Sequence, residues 1–168
     1  MFRRFRGLML LAVFLPVLAM AAGPTLKLPD PEGKMHSVGD YLGQGKWTVV
    51  VIWSVDCPIC KKDIFHMAFF HDEHKNRDAT VLGISIDGSG ETKRVREFIR
   101  NQSLGFPNLI GTPDTPEHIS KRSFVGTPTY FIFNPKGEFL AQIVGPATQS
   151  QMEGYIKTLA AERAKQGG

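Results

Sequence analysis

The chain has 168 residues, of which 42% are hydrophobic, and this length allows one domain with a sizeable buried core. It carries 20 Lys and Arg against 16 Asp and Glu. Because Arg3, Arg4 and Arg6 are the only charged residues among the first 22, the rest of the chain has 17 basic and 16 acidic residues. This near-neutral remainder shows no basic stripe with interleaved aromatic residues, which excludes nucleic acid as a partner.

The first 22 residues are typical of a bacterial secretory signal. A basic beginning is followed by an apolar run over residues 8–18 and by small residues suited to cleavage, Ala19-Met20-Ala21-Ala22. The apolar run is shorter than the ~20 residues of a spanning helix, and Pro16 interrupts it. We therefore predict a signal peptide over 1–22, a single domain over 23–168 and a periplasmic location, with an uncleaved N-terminal anchor as the alternative.

The remaining chain alternates between predicted strands and helices. Residues 47–53 form a nearly unbroken apolar, β-branched run, which is typical of a central strand buried on both faces. In chain order we predict a hairpin over 25–38, a strand over 47–53, a helix over 58–75, a strand over 80–87, a helix over 91–102, a short strand over 106–110, a helix beginning near Thr115, a hairpin over 129–144 and a helix over 149–165. This order predicts an α/β sandwich with one mixed sheet.

The only two cysteines, Cys57 and Cys60, are separated by two residues and follow the central strand directly. The first thiol would begin a helix, where unpaired N–H groups and the helix dipole favour the thiolate. We predict that Cys57, exposed at the helix start, attacks disulfides and that Cys60, one turn further and buried, resolves the mixed disulfide. A purely structural disulfide is the alternative, but so short a loop restrains the unfolded chain little.

These features resemble the TlpA-like, thioredoxin-fold thiol-disulfide oxidoreductases, which include reductants of cytochrome c maturation. The resemblance covers about residues 25–160 and rests on four motifs: Asp30-x-Glu32-Gly33-Lys34, the Trp four residues before the first cysteine, Cys57-Pro58-Ile59-Cys60-Lys61-Lys62-Asp63, and Gly126-Thr127-Pro128-Thr129. It implies a thioredoxin-like three-layer α/β/α sandwich with a mixed sheet and an N-terminal β-hairpin extension.

The resemblance also implies features of the active site, its cofactor and its partners. It places a cis peptide at Thr127-Pro128 beside the cysteines, where it pairs with substrate backbone. It implies no cofactor beyond the redox-active disulfide. The implied partners are exported cysteine-containing proteins, including apocytochrome c, and a membrane thiol that donates electrons.

Six further residues are candidate site residues. A partly buried Asp63 could move a proton on or off Cys60, although a solvated acid in the first turns of a helix is the plainer interpretation. Pro128 is assigned to the catalytic group. Four residues are candidates for contact with the substrate: Trp53, Pro58, Ile59 and Thr127. Trp53 could equally belong to the core, and Thr127 could be only a turn residue.

The chain departs from the family pattern beside the first cysteine. Asp56 stands where the family often has a large residue, and its carboxylate should raise the pKa of Cys57. That effect would oppose the helix dipole, Lys61 and Lys62. The dipeptide Pro58-Ile59 also lacks the histidine of strong periplasmic oxidants. These departures favour a reductant or an intermediate potential.

Two other functions remain open from the residues alone. His66, His71 and His74 lie close in sequence with Met67, but no spacing matches a closed zinc site, so we predict no metal. A copper-binding module would use both cysteines and a histidine. A peroxiredoxin-like peroxidase is suggested by Ser54-x-x-Cys57, but Val50 stands where that motif has proline.

Overall fold

The structure is a computed structural model that describes residues 25–166. The predicted signal peptide and the alternative anchor therefore lie outside the described residues. Among residues 25–166, none of the helices has both the length and the apolar character needed to cross a bilayer.

The described residues form seven strands and five helices, joined by short 3-10 turns at Val38–Tyr41 and Ser89–Glu91. The strands are β1 Lys27–Pro29, β2 Met35–Ser37, β3 Trp47–Trp53, β4 Ala79–Ser85, β5 Asn108–Ile110, β6 Thr129–Phe133 and β7 Phe139–Val144. The helices are α1 Pro58–Asp63, α2 Phe65–His74, α3 Thr92–Asn101, α4 Thr115–Ser120 and α5 Gln149–Gln166.

A single five-stranded mixed sheet organises the fold, in the order β5-β4-β3-β6-β7. Strand β3 pairs parallel to β4 and antiparallel to β6, so both of its edges are hydrogen-bonded. Strands β1 and β2 form a separate antiparallel hairpin, which confirms the predicted N-terminal extension. The central position predicted for residues 47–53 is also confirmed.

The helices cover the sheet as right-handed crossovers require. The chain moves from β3 to β4 to β5 in one direction across the sheet, so α2 and α3 fall on the same face. Helix α5 joins them there, while the hairpin, the first 3-10 turn and α4 cover the opposite face. The thioredoxin-like three-layer sandwich expected from the sequence is confirmed.

Side chains of β3 alternate between the two buried faces. Val49, Val51 and Trp53 pack with α2, α3 and α5, whereas Val50 and Ile52 pack with the hairpin and α4. A strand that is buried on both faces has no polar side, which explains the unbroken apolar run.

The predicted helix over 58–75 is divided into two helices at Ile64. The backbone of Ile64 stays in the right-handed helical region, and the Ile64 N–H still bonds to the Cys60 carbonyl at 3.1 Å. The N–H of Met67, however, bonds to the Ile64 carbonyl three residues earlier, at 2.9 Å. This 3-10 contact tightens one turn, and the helical periodicity of the side chains had given no sign of it.

Gly83 in the middle of β4 lies where no side chain fits. A Cβ there would collide with the Asn108 amide oxygen and lie 2.8 Å from Cε2 of Phe106. The amide of Asn108 cannot move aside freely, because it is buried and donates to the Phe106 carbonyl at 2.8 Å. We predict that Gly83→Ala lowers the free energy of unfolding by about 1–3 kcal/mol through overpacking.

Urea unfolding measures this effect, with Gly154→Ala as the matched control. Gly154 lies in exposed α5 with open space around its Cα, so alanine there should stabilise the protein by about 0.5–1 kcal/mol. Equal effects of the two substitutions would contradict the packing around Gly83.

Candidate active site

Cys57 sits at the junction between β3 and α1 and caps the helix with its own sulfur. Its backbone is extended, with φ −77° and ψ 111°, and its Sγ accepts a hydrogen bond from the Cys60 N–H at 3.0 Å. Pro58 takes the first helical position, where a missing N–H costs nothing. In the reduced protein the same N–H and the helix dipole favour the Cys57 thiolate.

The two cysteines are joined in a disulfide and differ in access to solvent. Cys60 is 0% exposed and Cys57 is 8% exposed. The order of exposure agrees with the predicted roles, but the expectation of an openly exposed Cys57 was wrong. The reason is the neighbouring loop, whose Thr127 carbonyl oxygen lies 3.5 Å from the Cys57 sulfur.

The loop before β6 meets the cysteines as the resemblance implies. The Thr127-Pro128 peptide is cis, and Pro128 is buried while Thr127 is half-buried. The Pro128 carbonyl accepts from the Gly145 N–H at 2.9 Å, which ties the loop to the end of β7. The loop therefore places a backbone carbonyl beside the sulfur from 70 residues away in the sequence.

Asp63 lies one helical turn after Cys60, and its charge is felt by a buried phenol. It is half-buried at the last residue of α1. Burial raises the pKa of Tyr130 to about 12, and the nearby charge of Asp63 adds to the rise. The Tyr130 hydroxyl has no hydrogen-bond partner among residues 25–166, and the nearby backbone of Ala147 partly offsets the rise in its pKa. Asp63 is thus partly shielded from solvent, and its role in proton transfer stays a prediction.

Trp53 is part of the core and does not reach the surface. It is completely buried, and its ring stacks on Phe98 of α3 at 4.5 Å between centroids and 19° between planes. The prediction that Trp53 contacts the substrate was therefore wrong. The physical reason is that alternate side chains of β3 point to opposite faces, and the side chain of Trp53 points to the face that α3 covers.

Exposed apolar side chains occur instead between the two cysteines and just before the Thr127 loop. Pro58 is exposed and Ile59 is 42% exposed, both in the first turn of α1. Val125, which the sequence analysis did not select, is 72% exposed and lies two residues before Thr127. An apolar residue beside the Gly-Thr-Pro-Thr segment was the signal available for Val125.

Asp56 is paired with a cation that the sequence analysis did not foresee. Its carboxylate forms a salt bridge with Arg94 of α3, 38 residues further along. The hydrogen bond from Arg94 lowers the pKa of Asp56, and the pKa of Arg94 is raised in return. Arg94 also donates to Glu91 at 3.1 Å. The negative charge beside Cys57 is therefore largely offset, which weakens the predicted effect of Asp56.

Asp87 anchors the loop that precedes the cysteines and was missed by the sequence analysis. Its carboxylate accepts hydrogen bonds from the Ser54 hydroxyl at 2.6 Å, the Val55 N–H at 3.1 Å and the Ser85 hydroxyl at 2.5 Å. The available signal was an acid at the end of the strand predicted over 80–87, because the carboxyl ends of parallel strands share one edge.

The histidines of α2 do not converge on one point. His71 is buried, its Nδ1 accepts from the Val81 N–H at 3.2 Å, and burial lowers its pKa. His74 points elsewhere, with Nδ1 at 2.8 Å from Asp78 and Nε2 at 3.3 Å from Glu153. The two rings therefore cannot share an ion in this conformation.

The sequence model of the AhpC/TSA family matches residues 20–141. The chain belongs to the AhpC/TSA family. Among relatives, this AhpC/TSA chain is 28% identical over 137 residues to the thiol-disulfide oxidoreductase ResA of Bacillus thuringiensis (strain Al Hakam), covering 81% of this chain and 75% of that one. It is also 28% identical over 115 residues to the sporulation thiol-disulfide oxidoreductase A of Bacillus subtilis (strain 168), covering 68% of each.

Solved structures agree on the fold. The crystal structure of StoA from Bacillus subtilis superposes with a TM-score of 0.60 at 25% identity, covering 80% of this chain and 98% of that one. A thioredoxin-family thiol:disulfide interchange protein from Chlorobium tepidum superposes with a TM-score of 0.69 at 21% identity, covering 85% and 98%. Together with the Cys57–Cys60 pair, these relatives identify this AhpC/TSA member as a thiol-disulfide oxidoreductase.

The Asp56–Arg94 pair predicts opposite pKa changes at Cys57. Asp56→Ala removes a negative charge and frees Arg94, so the pKa of the Cys57 thiol should fall. Arg94→Ala leaves Asp56 uncompensated, so that pKa should rise. Thiolate absorbance against pH in the reduced protein measures both, with exposed Arg100→Ala as the control. Shifts in the same direction would contradict the pairing.

The contacts of Asp87 predict that Asp87→Asn, which keeps the size of the side chain, destabilises the folded protein. Asp87→Asn replaces one acceptor oxygen with a donor amide, so at least one group of the loop or of Ser85 loses its partner. We expect a loss of about 1–3 kcal/mol in the free energy of unfolding and slower disulfide exchange. Exposed Asp72→Asn on α2 is the control, and unfolding by urea together with an insulin-reduction assay reports the result. Wild-type stability and rate in Asp87→Asn would show that these bonds do not hold the loop.

Proposed function

We propose that this thiol-disulfide oxidoreductase is an exported reductant of protein disulfides, in which Cys57 attacks and Cys60 resolves. The observation that carries the proposal is the unequal access of two bonded cysteines. Only Cys57 has an exposed edge, and only its sulfur receives the N–H of the helix terminus. A client sulfur can approach Cys57 but not the fully buried Cys60.

The exchange balances as two successive displacements. In the reduced enzyme the Cys57 thiolate attacks one sulfur of a client disulfide, forms a mixed disulfide and releases the other client sulfur as a thiolate. The Cys60 sulfur, after losing its proton, then attacks Sγ of Cys57 and releases the second client thiolate. The client gains two electrons and takes up two protons, while the enzyme is left with the Cys57–Cys60 disulfide.

Asp63 is the candidate group for the proton of Cys60. It lies one helical turn beyond Cys60, is half-buried, and its charge helps to raise the pKa of Tyr130. A carboxylate in this position can take the proton when Cys60 becomes the attacking group, and it can return the proton on re-reduction. The placement supports the role because water has little access to a fully buried sulfur.

The client would bind along the loop before β6. Thr127 is half-buried with its carbonyl at the Cys57 sulfur, so extended client backbone can lie against Thr127 and Pro128. The exposed apolar side chains of Pro58, Ile59 and Val125 border the same edge. A client cysteine flanked by apolar residues matches this surface.

The direction of electron flow rests mainly on Pro58-Ile59. Neither side chain can stabilise a thiolate, and a reduced form that is not strongly stabilised makes a weaker oxidant. The salt bridge with Arg94 offsets the Asp56 charge, so Asp56 contributes less to this argument than the sequence suggested. The secretory signature over 1–22 supports a periplasmic location, with a membrane thiol as electron donor and apocytochrome c among the exported clients.

Both rival functions lack support from the site. The Ser54 hydroxyl, which a peroxidase motif would offer to a peroxide, donates to Asp87 instead. Among residues 25–166, the one group of three possible metal ligands that lie within 4.8 Å of one another contains neither cysteine.

The assigned roles predict different behaviour of two serine variants. Cys60→Ser should accumulate mixed disulfides with client proteins through Cys57, because the resolving step is lost. Cys57→Ser should trap none, since Cys60 is fully buried. Non-reducing gels of periplasmic extracts, after acid quenching and alkylation, measure the trapped species.

The double variant Cys57→Ser/Cys60→Ser is the control for nonspecific adducts. Adducts of Cys57→Ser in the absence of adducts of Cys60→Ser would invert the assigned roles. Adducts in neither variant, with both proteins folded, would contradict exchange with protein clients.

A further inference from the structure

A second cluster of chemically capable side chains joins α2 to α5, and it contains neither cysteine. Glu73 and His74 end α2, and Glu153 lies in the first turns of α5. One ligand atom from each residue lies within 4.8 Å of the other two. The three residues are separated by up to 80 positions in the chain, so the sequence analysis, which considered only the histidines of α2, could not assemble them.

The ring of His74 is held in the orientation of a metal ligand. It is 9% exposed and stacks on Phe70 at 4.5 Å between centroids. Its Nδ1 lies 2.8 Å from the Asp78 carboxylate, and an Nδ1–H donated there leaves the Nε2 lone pair directed at Glu153. A carboxylate behind a histidine is the usual outer support of a metal-bound imidazole.

The distance across the cluster fits two ligands of one ion. Nε2 of His74 and Oε1 of Glu153 are 3.3 Å apart. Two ligands at zinc bond lengths of ~2.0–2.1 Å and a tetrahedral angle lie about 3.4 Å apart. With Nδ1 donating to Asp78, both facing atoms are acceptors, and a cation between them would satisfy both.

The two carboxylates are also drawn together. The side-chain amide of Gln149 donates to Glu73 at 2.6 Å and to Glu153 at 2.9 Å. Like charges so close repel each other unless a cation compensates them. The guanidinium of Arg77 lies 3.3 Å from Nδ1 of His74, whereas Nε2 of the same ring faces Glu153, and the Arg77 charge offsets part of this repulsion.

We propose that Glu73, His74 and Glu153 bind a divalent transition-metal ion of the Zn²⁺ class, which links α2 to α5. Imidazole nitrogen with carboxylate oxygens is a donor set that Zn²⁺ accepts. Glu73 and Glu153 line a cleft of about 350 Å³ that is open to solvent, so water would complete the coordination. Asp78 is a positioning residue that acts through His74.

The test uses the untagged protein with its Cys57–Cys60 disulfide formed, so that no thiolate competes for the metal. Isothermal titration with ZnCl₂ should show one ion per chain, and Zn²⁺ should raise the melting temperature because it binds only the native state. Glu73→Gln and Glu153→Gln should each weaken binding by on the order of tenfold or more, and Asp78→Asn by roughly tenfold.

Two matched controls and a structural check complete the design. Glu162→Gln changes another exposed carboxylate of α5, and His118→Asn changes an exposed histidine of α4; both should bind Zn²⁺ as the parent does. Glu73 is exposed, so Glu73→Gln should fold normally even if Glu153→Gln does not. Absence of Zn²⁺ binding by the oxidised parent, or equal affinity in Glu73→Gln and the parent, would overturn the proposal.

Discussion

The whole site depends on how the carboxyl end of β3 is held. The strand is paired along both edges and buried on both faces, so its last residue has a fixed position. The four residues that follow cross from the sheet to α1, and Asp87 binds this crossing to the end of β4. Cys57 therefore reaches the helix terminus in one geometry, with its sulfur as the cap.

As a result, the outer and inner sides of the disulfide have different neighbouring groups. On the outer side, the Thr127 carbonyl, the exposed Ile59 and the neutralised Asp56–Arg94 pair surround the sulfur that clients meet. On the inner side, Cys60 is fully buried, and the half-buried Asp63 follows it by one helical turn. The two sulfurs therefore differ in access to solvent, because only Cys57 keeps an exposed edge.

Local patterns in the sequence predicted the parts of the fold that local physics decides. The apolar run of β3, the proline at the start of α1 and the Cys-x-x-Cys at a strand-to-helix junction all lie within a few residues of one another. They were sufficient for the central strand, the start of α1 and the order of exposure of the two cysteines. The cis Thr127-Pro128 peptide came from the family resemblance, since sequence alone gives such bonds a low frequency.

Contacts between distant segments were not predictable in the same way. Arg94 meets Asp56, and Glu153 meets His74, only after α3 and α5 have packed on the sheet. Trp53 was misassigned because β3 is apolar on both faces. The sequence pattern of such a strand does not show which side chains lie under a helix and which lie at the active site. The place of Asp87 near the cysteines was easier to predict, since parallel pairing of two consecutive strands already brings their carboxyl ends together.

The central claim is that Cys57 and Cys60 form a dithiol that the cell keeps reduced and that reduces client disulfides. Its most direct test is the redox state of the pair in growing cells, captured by acid quenching and alkylation with a mass-tagged thiol reagent. The account predicts that most of the protein carries two free thiols, and that this fraction falls when the membrane electron supply is removed. A pair that is mostly disulfide-bonded in unperturbed cells would contradict it and would make the protein an oxidant.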